Sequence, residues 1–249
     1  MSRRTLVILI FLILCLAAPL IAHAQEGPSV TFNMQGASDP GQVSLALKIL
    51  FALTILTVAP TILLMTTSFV RVVIVLSFVR QAMGVRNMPP NQVVVGLALF
   101  LTIFIMTPVM GSMNNQALQP YLQEEIGEKE ALTRAVQPMR EFMFSQVREK
   151  DLRLLVNIAD HEKPDTIQDV STMTLIPAFM ISELKKAFQI GFMIFVPFLI
   201  IDMVTASVLM TMGMLMLPPV IISLPFKVLL FVLVDGWHLV VGSLVQSFH

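Results

Sequence analysis

Unbroken apolar runs, rather than alternating ones, organise this chain. Four of them, at about 44–66, 92–110, 187–209 and 220–245, each approach the roughly 20 apolar residues that a helix needs to cross a bilayer core. They predict an all-α protein. A repeated frame punctuates the runs: Met83-Gly84, four residues, then Pro89-Pro90, and again Met212-Gly213, four residues, then Pro218-Pro219. Each copy falls between two runs, so the chain reads as two related helical hairpins. The turn of the first is basic, with Arg80 and Arg86, and that of the second carries Met210, Met212, Met214 and Met216 at alternate positions with no charge. From Ser44 to Met83 the chain stays apolar or weakly polar for 40 residues, about 60 Å of helix, with Pro60 as the expected kink. Arg71 and Arg80, nine residues apart, would stand on opposite sides of such a helix, which suits burial in protein better than a lipid face.

Between the hairpins the pattern changes. The stretch 111–186 holds 12 of the 16 acidic and 9 of the 16 basic residues, and marks an extramembrane domain. From Tyr121 to Asn157 it reads as helix, with Met139, Phe142, Met143, Val147, Leu152, Leu154 and Leu155 at three-to-four spacing. Glu141 with Arg148, and Glu149 with Arg153, are placed to sit near one face. So many large apolar side chains in so short a block leave two readings, a small solvated domain and an oligomerisation surface.

Composition fixes the class. With 56% hydrophobic and 13% charged residues among 249, the chain is a membrane protein and not a soluble globular one. Arg3 and Arg4, an apolar run from Leu6 to Ala18, and Ala22-His23-Ala24 before Gln25 predict a secretory leader over 1–24, with a retained first span as the alternative. Cys15, the single cysteine, lies inside it, so the mature chain is expected to have no thiol chemistry. A short periplasmic segment, 25–43, would follow, then the first hairpin (44–110), the polar helical domain (111–186) and the second hairpin (187–249). Arg71, Arg80 and Arg86, without an acid among them, assign the first connector to the cytoplasm by the positive-inside rule. The polar domain is then periplasmic and the methionine turn cytoplasmic, so both hairpins run in the same sense.

Three charges stand inside the apolar runs: Asp202, Lys227 and Asp235. Each is costly there and needs a partner or water. On an unbroken helix Lys227 and Asp235 share a broad face, whereas Asp202 and Lys227 lie on the two arms of one hairpin with an offset of about 9 Å. A register-fixing ion pair, within a chain or between copies, and a proton relay through Asp202 are both open. Enzyme motifs are missing: no HExxH, GxSxG, P-loop or GxGxxG, and His23, His161, His238 and His249 are scattered. His238 beside Trp237 suits an interfacial anchor, and Lys48 can snorkel. Nothing basic enough for nucleic acid exists. The methionines themselves admit core packing, copper(I) ligation by soft thioethers, or a deformable seal around a pore. A small-solute or copper(I) transporter is thus the alternative to a sealing role.

The run Pro177 to Phe192 (PAFMISELKKAFQIGF), then Pro197 to Asp202 (PFLIID), the methionine turn and Pro218-Pro219, together with Arg71, Arg80 and Pro89-Pro90 in the first hairpin, resemble the FliP family of flagellar export-gate proteins over essentially the whole mature chain. The resemblance implies a non-enzymatic, cofactor-free subunit. It implies a homo-oligomer, a five-membered set, that joins FliQ and FliR in a closed helical cone in the bacterial inner membrane at the flagellar basal body. FlhB and FlhA are implied as further partners, and unfolded flagellar proteins as the cargo. A methionine loop serves as the gasket in that family, and Met210, Met212, Met214 and Met216 match it by position, Met214 and Met216 being the first candidates to face the pore. In place of contiguous methionines this chain interposes Thr211, Gly213 and Leu215.

Overall fold

The computed structural model describes residues 40–85, 88–159, 166, 169–214 and 217–248, with side chains from Leu47 onward. The leader, Cys15, most of the 25–43 segment, Arg86, His161 and Met216 lie outside the described residues. Among the described residues the structure is helical, without strands. In chain order the helices are α1 (Pro40–Thr66), α2 (Phe69–Ala82), α3 (Asn91–Met113), a π-helical turn (Asn114–Leu118), α4 (Gln119–Leu122), α5 (Glu128–Gln146), α6 (Glu149–Ile158), α7 (Thr172–Thr211), α8 (Pro219–Leu233) and α9 (Gly236–Gln246). Three stretches are long and apolar enough to cross a membrane, Leu47–Thr66, Asn91–Leu122 and Thr172–Thr211, and the bent α8–α9 pair makes a fourth if counted as one span.

The chain divides into two units, residues 1–54 and 55–249. In the first, the described part is helix, and Leu47, Leu50, Phe51 and Leu53 are all exposed. The second unit carries two apolar clusters. At the centre of the larger one lies α2, whose Val72, Val75, Leu76 and Val79 pack with Val94, Ala98 and Ile105 of α3, Ala187 and Phe198 of α7, Phe231 of α8, and Val240 and Leu244 of α9. Only Gln81 of α2 is exposed, so this helix is enclosed by protein as the placement of its arginines requires. Its approach to α7 depends on Gly191, where a Cβ would stand 2.5 Å from the Phe78 ring. The smaller cluster joins Met143, Leu152, Val170, Leu175, Ala178 and Phe179. Much of the polar block's apolar content is therefore buried on the first turns of α7, while Leu132, Val136, Leu154 and Ile158 stay exposed.

Several boundaries differ from the sequence reading, each for a local reason. Pro60 stays inside α1; the helix is interrupted at Thr67-Ser68, where the hydroxyls of Thr66 and Thr67 turn back onto the Ile62 and Leu64 carbonyls at 3.0 and 3.1 Å and compete with the backbone ladder. The Tyr121–Asn157 helix is instead three: α4 ends at Leu122, before Glu124 in the left-handed region, and α5 and α6 are parted by extended backbone at Val147 and Arg148. That break separates Glu141 from Arg148. Glu141 accepts from Gln137 instead (3.1 Å) and Arg148 turns to Asp151, whereas Glu149 and Arg153 do pair on the exposed face of α6. α7 is continuous for 40 residues through Pro177 and Pro197, starting at Ser171, whose hydroxyl caps the Met173 amide. The boundary drawn at 186 falls inside it. The last run is not one helix: α8 and α9 meet at 63°, with Asp235 in the left-handed region at φ 51°. Gly236 permits the fold-back, since a Cβ there would fall 2.3 Å from the Phe231 ring.

Candidate functional site

The two repeated frames end their helices in the same way. At the close of α7 the Met212 amide donates to Val208 O (3.1 Å), Gly213 to Met210 O (3.1 Å) and Met214 to Leu209 O (3.0 Å), a wrapping that needs the left-handed Gly213, φ 73°. Pro218 then precedes α8 and Pro219 opens it, where a missing amide proton costs nothing. At the close of α2 the Met83 amide donates to Val79 O and Gly84 to Gln81 O, both at 3.1 Å, around Gly84 at φ 76°. Pro90 then leads into α3, and Arg80 reaches the Pro89 carbonyl at 3.5 Å.

Their surroundings differ. Met83 is 6% exposed, whereas Met210, Met212 and Met214 are 66%, 63% and 44% exposed. Between Asp202 and Lys227 the sequence has no charge, so the second turn presents flexible thioethers on an uncharged tip. A tip of this composition can deform around a varied surface without a fixed polar partner.

Asp202 and Lys227 meet within one chain. The Lys227 ammonium lies 2.6 Å from Asp202 Oδ2, and the Ser223 hydroxyl donates to Oδ1 at 2.5 Å. Lys227 is almost wholly enclosed, with 4% of its side chain exposed against 26% for Asp202. The pair ties α7 to α8, and a Cβ at Gly84 would stand 3.9 Å from the Lys227 nitrogen, so the first turn abuts the charge of the second hairpin. Ser223 was not singled out from sequence; its place one helical turn before Lys227, on the same face, is the signal that could have found it. Asp235 does not share that face. The break at Val234-Asp235 leaves it exposed, without an ion pair among the described residues.

A second polar centre was missed. Arg71, fully buried, donates from Nε to Glu183 Oε2 (2.8 Å), from Nη1 to the Ser247 carbonyl (2.8 Å) and hydroxyl (3.0 Å), and from Nη2 to Gln146 Oε1 (2.9 Å) and Glu183 Oε1. Those bonds occupy all five of its N–H groups. The Phe248 ring lies 3.7 Å from the guanidinium carbon, Gln146 Nε2 donates to Phe248 O (3.2 Å), and Lys186 donates to Gln146 O (2.8 Å). α2, α5, α7 and the segment after α9 thus converge on one cation. Arg71 is consequently no marker of a cytoplasmic loop, because its charge is neutralised inside the protein. Nearby, Arg148 grips Asp151 through two bonds of 2.8 and 2.7 Å, and the Ser182 hydroxyl donates to the same carboxylate at 2.8 Å. The Arg148 hydrogen bonds, more than that of Ser182, hold the Asp151 carboxyl below its usual range against the opposing effect of burial.

The model of the FliP family matches residues 52–244. A protein named flagellar biosynthetic protein FliP from Bacillus subtilis (strain 168) is 59% identical over 216 residues, 87% of this chain and 98% of the relative. One of the same name from Pectobacterium carotovorum is 52% identical over 206 residues, 83% of this chain and 80% of the relative. Another, from Caulobacter vibrioides, is 44% identical over 248 residues, the full chain and 92% of the relative. A match that runs through both repeated frames, the buried arginine and the Asp202–Lys227 pair leaves no part of the described core outside it, and the chain belongs to the FliP family.

Proposed function

We propose that this chain is a structural pore subunit of the flagellar protein export gate, with the second turn as its gasket. Membership of a family whose relatives are named for flagellar biosynthesis supports the process, and the exposed sulfur tip carries the mechanism. Met210, Met212 and Met214 project from an uncharged turn. Several copies brought together would converge these side chains, with Met216, into a ring that closes against ions and still yields to a passing unfolded chain. Long apolar faces on α1, α7 and α8 are exposed and need cover, which lipid, further copies and the FliQ, FliR, FlhB and FlhA subunits would supply. The five-membered set, the bacterial inner membrane and a periplasmic position for the polar block belong to the same reading. Arg80 at the first turn is the described cation that argues for a cytoplasmic connector.

Replacing Met212, Met214 and Met216 together by alanine removes most of each side chain. The triple variant is expected to assemble normally and to leak ions across the membrane of cells that express it. Unchanged conductance with normal assembly would overturn the gasket.

A further inference from the structure

We propose that α9 is a hinged strap, a helix that opens and closes as a unit about Asp235-Gly236 and is held shut at its far end by Arg71. Three independent features carry this. The first is the hinge: a 63° bend at a non-glycine residue held at φ 51°, followed by a glycine with the Phe231 ring seated against its α-carbon. The second is how little holds the middle of the helix. α9 has eleven residues, and its buried positions are Gly236, Val240 and Leu244, a stripe at four-residue spacing that the partly buried Val245 widens only at its far end. A helix that short has scant stability of its own and depends on what it packs against.

The third feature is a polar latch beyond the last turn. Two of Arg71's five bonds go to Ser247, and its guanidinium lies over the Phe248 ring, while the Gln146 amide holds the Phe248 carbonyl. The remaining bonds of Arg71, to Glu183 and Gln146, belong to elements that stay in place when α9 moves. Opening therefore costs the latch bonds and one narrow stripe but leaves the buried ion pair intact. Such an element sits at the low end of the range of local stabilities within a fold. Closing completes the hydrogen-bond shell of Arg71, so that α2, α5, α7 and α9 are tied together only in the shut state.

Thiol labelling of the full chain in membranes reads the strap directly. With Cys15→Ser as background, Leu244→Cys places a probe under the strap, at a position with no exposure, and Ala178→Cys places a reference in the other apolar cluster, equally buried. Adding Ser247→Ala with Phe248→Ala weakens the latch and spares the Arg71–Glu183 pair. The maleimide reaction at position 244 is expected to quicken at least about tenfold, as fits loss of the Ser247 hydroxyl bond and the Phe248 ring contact, with position 178 unchanged. Equal protection of position 244 in both backgrounds would overturn the latch. A matching rise at position 178 would mean general loosening and would overturn the strap. Asp235→Gly keeps the left-handed backbone accessible and frees the hinge, so it is expected to quicken labelling at 244 with the latch intact; no change would remove the hinge from Asp235.

Discussion

The turn after α2 and the turn after α7 share a backbone and little else. Both finish a helix on a methionine, pass through a glycine with φ near 75° (76° and 73°) and reach a proline pair at the head of the next helix. The first is closed in by its own chain, with Met83 in the core and the Lys227 ammonium against Gly84. At the second, nothing lies within 4 Å of a Cβ on Gly213, and Met210, Met212 and Met214 are exposed. The same local chemistry thus builds a structural corner in one place and an unfilled surface in the other. What a turn does depends on whether the rest of the fold reaches it.

The largest way to disturb this contrast is to cut the ion pair that ties the two arms of the second hairpin and sets the Lys227 charge beside the first turn. Asp202→Ala leaves Lys227 buried and unpaired, at a cost of about 3 kcal/mol, the lower end for a buried pair because part of Asp202 meets solvent. Native mass and the midpoint of heat unfolding in detergent should both fall, and the exchanged pair Asp202→Lys with Lys227→Asp should recover part of the loss. A proton role would instead show as normal mass with lost export in Asp202→Asn. Next come the methionines themselves: Met83→Ala should lose about 2–3 kcal/mol by opening a cavity, and Met212→Ala under about 0.5 kcal/mol as an exposed change. Equal losses in the same unfolding assay would dissolve the distinction between a filled and an unfilled turn. Gly84→Ala and Gly213→Ala should each cost about 1–2 kcal/mol, since both backbones are left-handed; unequal values would show that the shared frame is not equally strained. The smallest effect is a control away from both turns. Asp151, with its carboxyl held low by Arg148, adds stability that is present above the ordinary aspartate range and is lost as pH falls through its lowered value. Acid below that range should therefore loosen α6 from α7, detected by amide exchange, before either turn responds.

Much of this architecture was legible in residue order. Apolar runs located the long helices, and the Met-Gly and Pro-Pro frames located both turns, because a left-handed glycine and a helix-opening proline are local requirements that the chain writes locally. Arg71 shows where such reading stops. Burial of Arg71 on a helix could be read, but not what receives it, because its carboxylate partner, Glu183, is 112 residues away and its other acceptors are backbone, hydroxyl and amide groups that hydropathy does not register. The break at Asp235 was equally hidden. An aspartate among apolar residues reads as a buried charge in a continuous helix, and only the Phe231 ring packed on Gly236 shows why the helix must bend there.

α7 runs through both polar centres, carrying Glu183 at one and Asp202 at the other, nineteen residues or about 28 Å along its axis. In mechanical terms it is a beam clamped at two points, with its free end at the methionine tip. Between the clamps lies Pro197, whose missing amide proton removes a rung of the helical ladder. A sideways load on the tip would therefore meet the Asp202–Lys227 clamp before it reached Arg71.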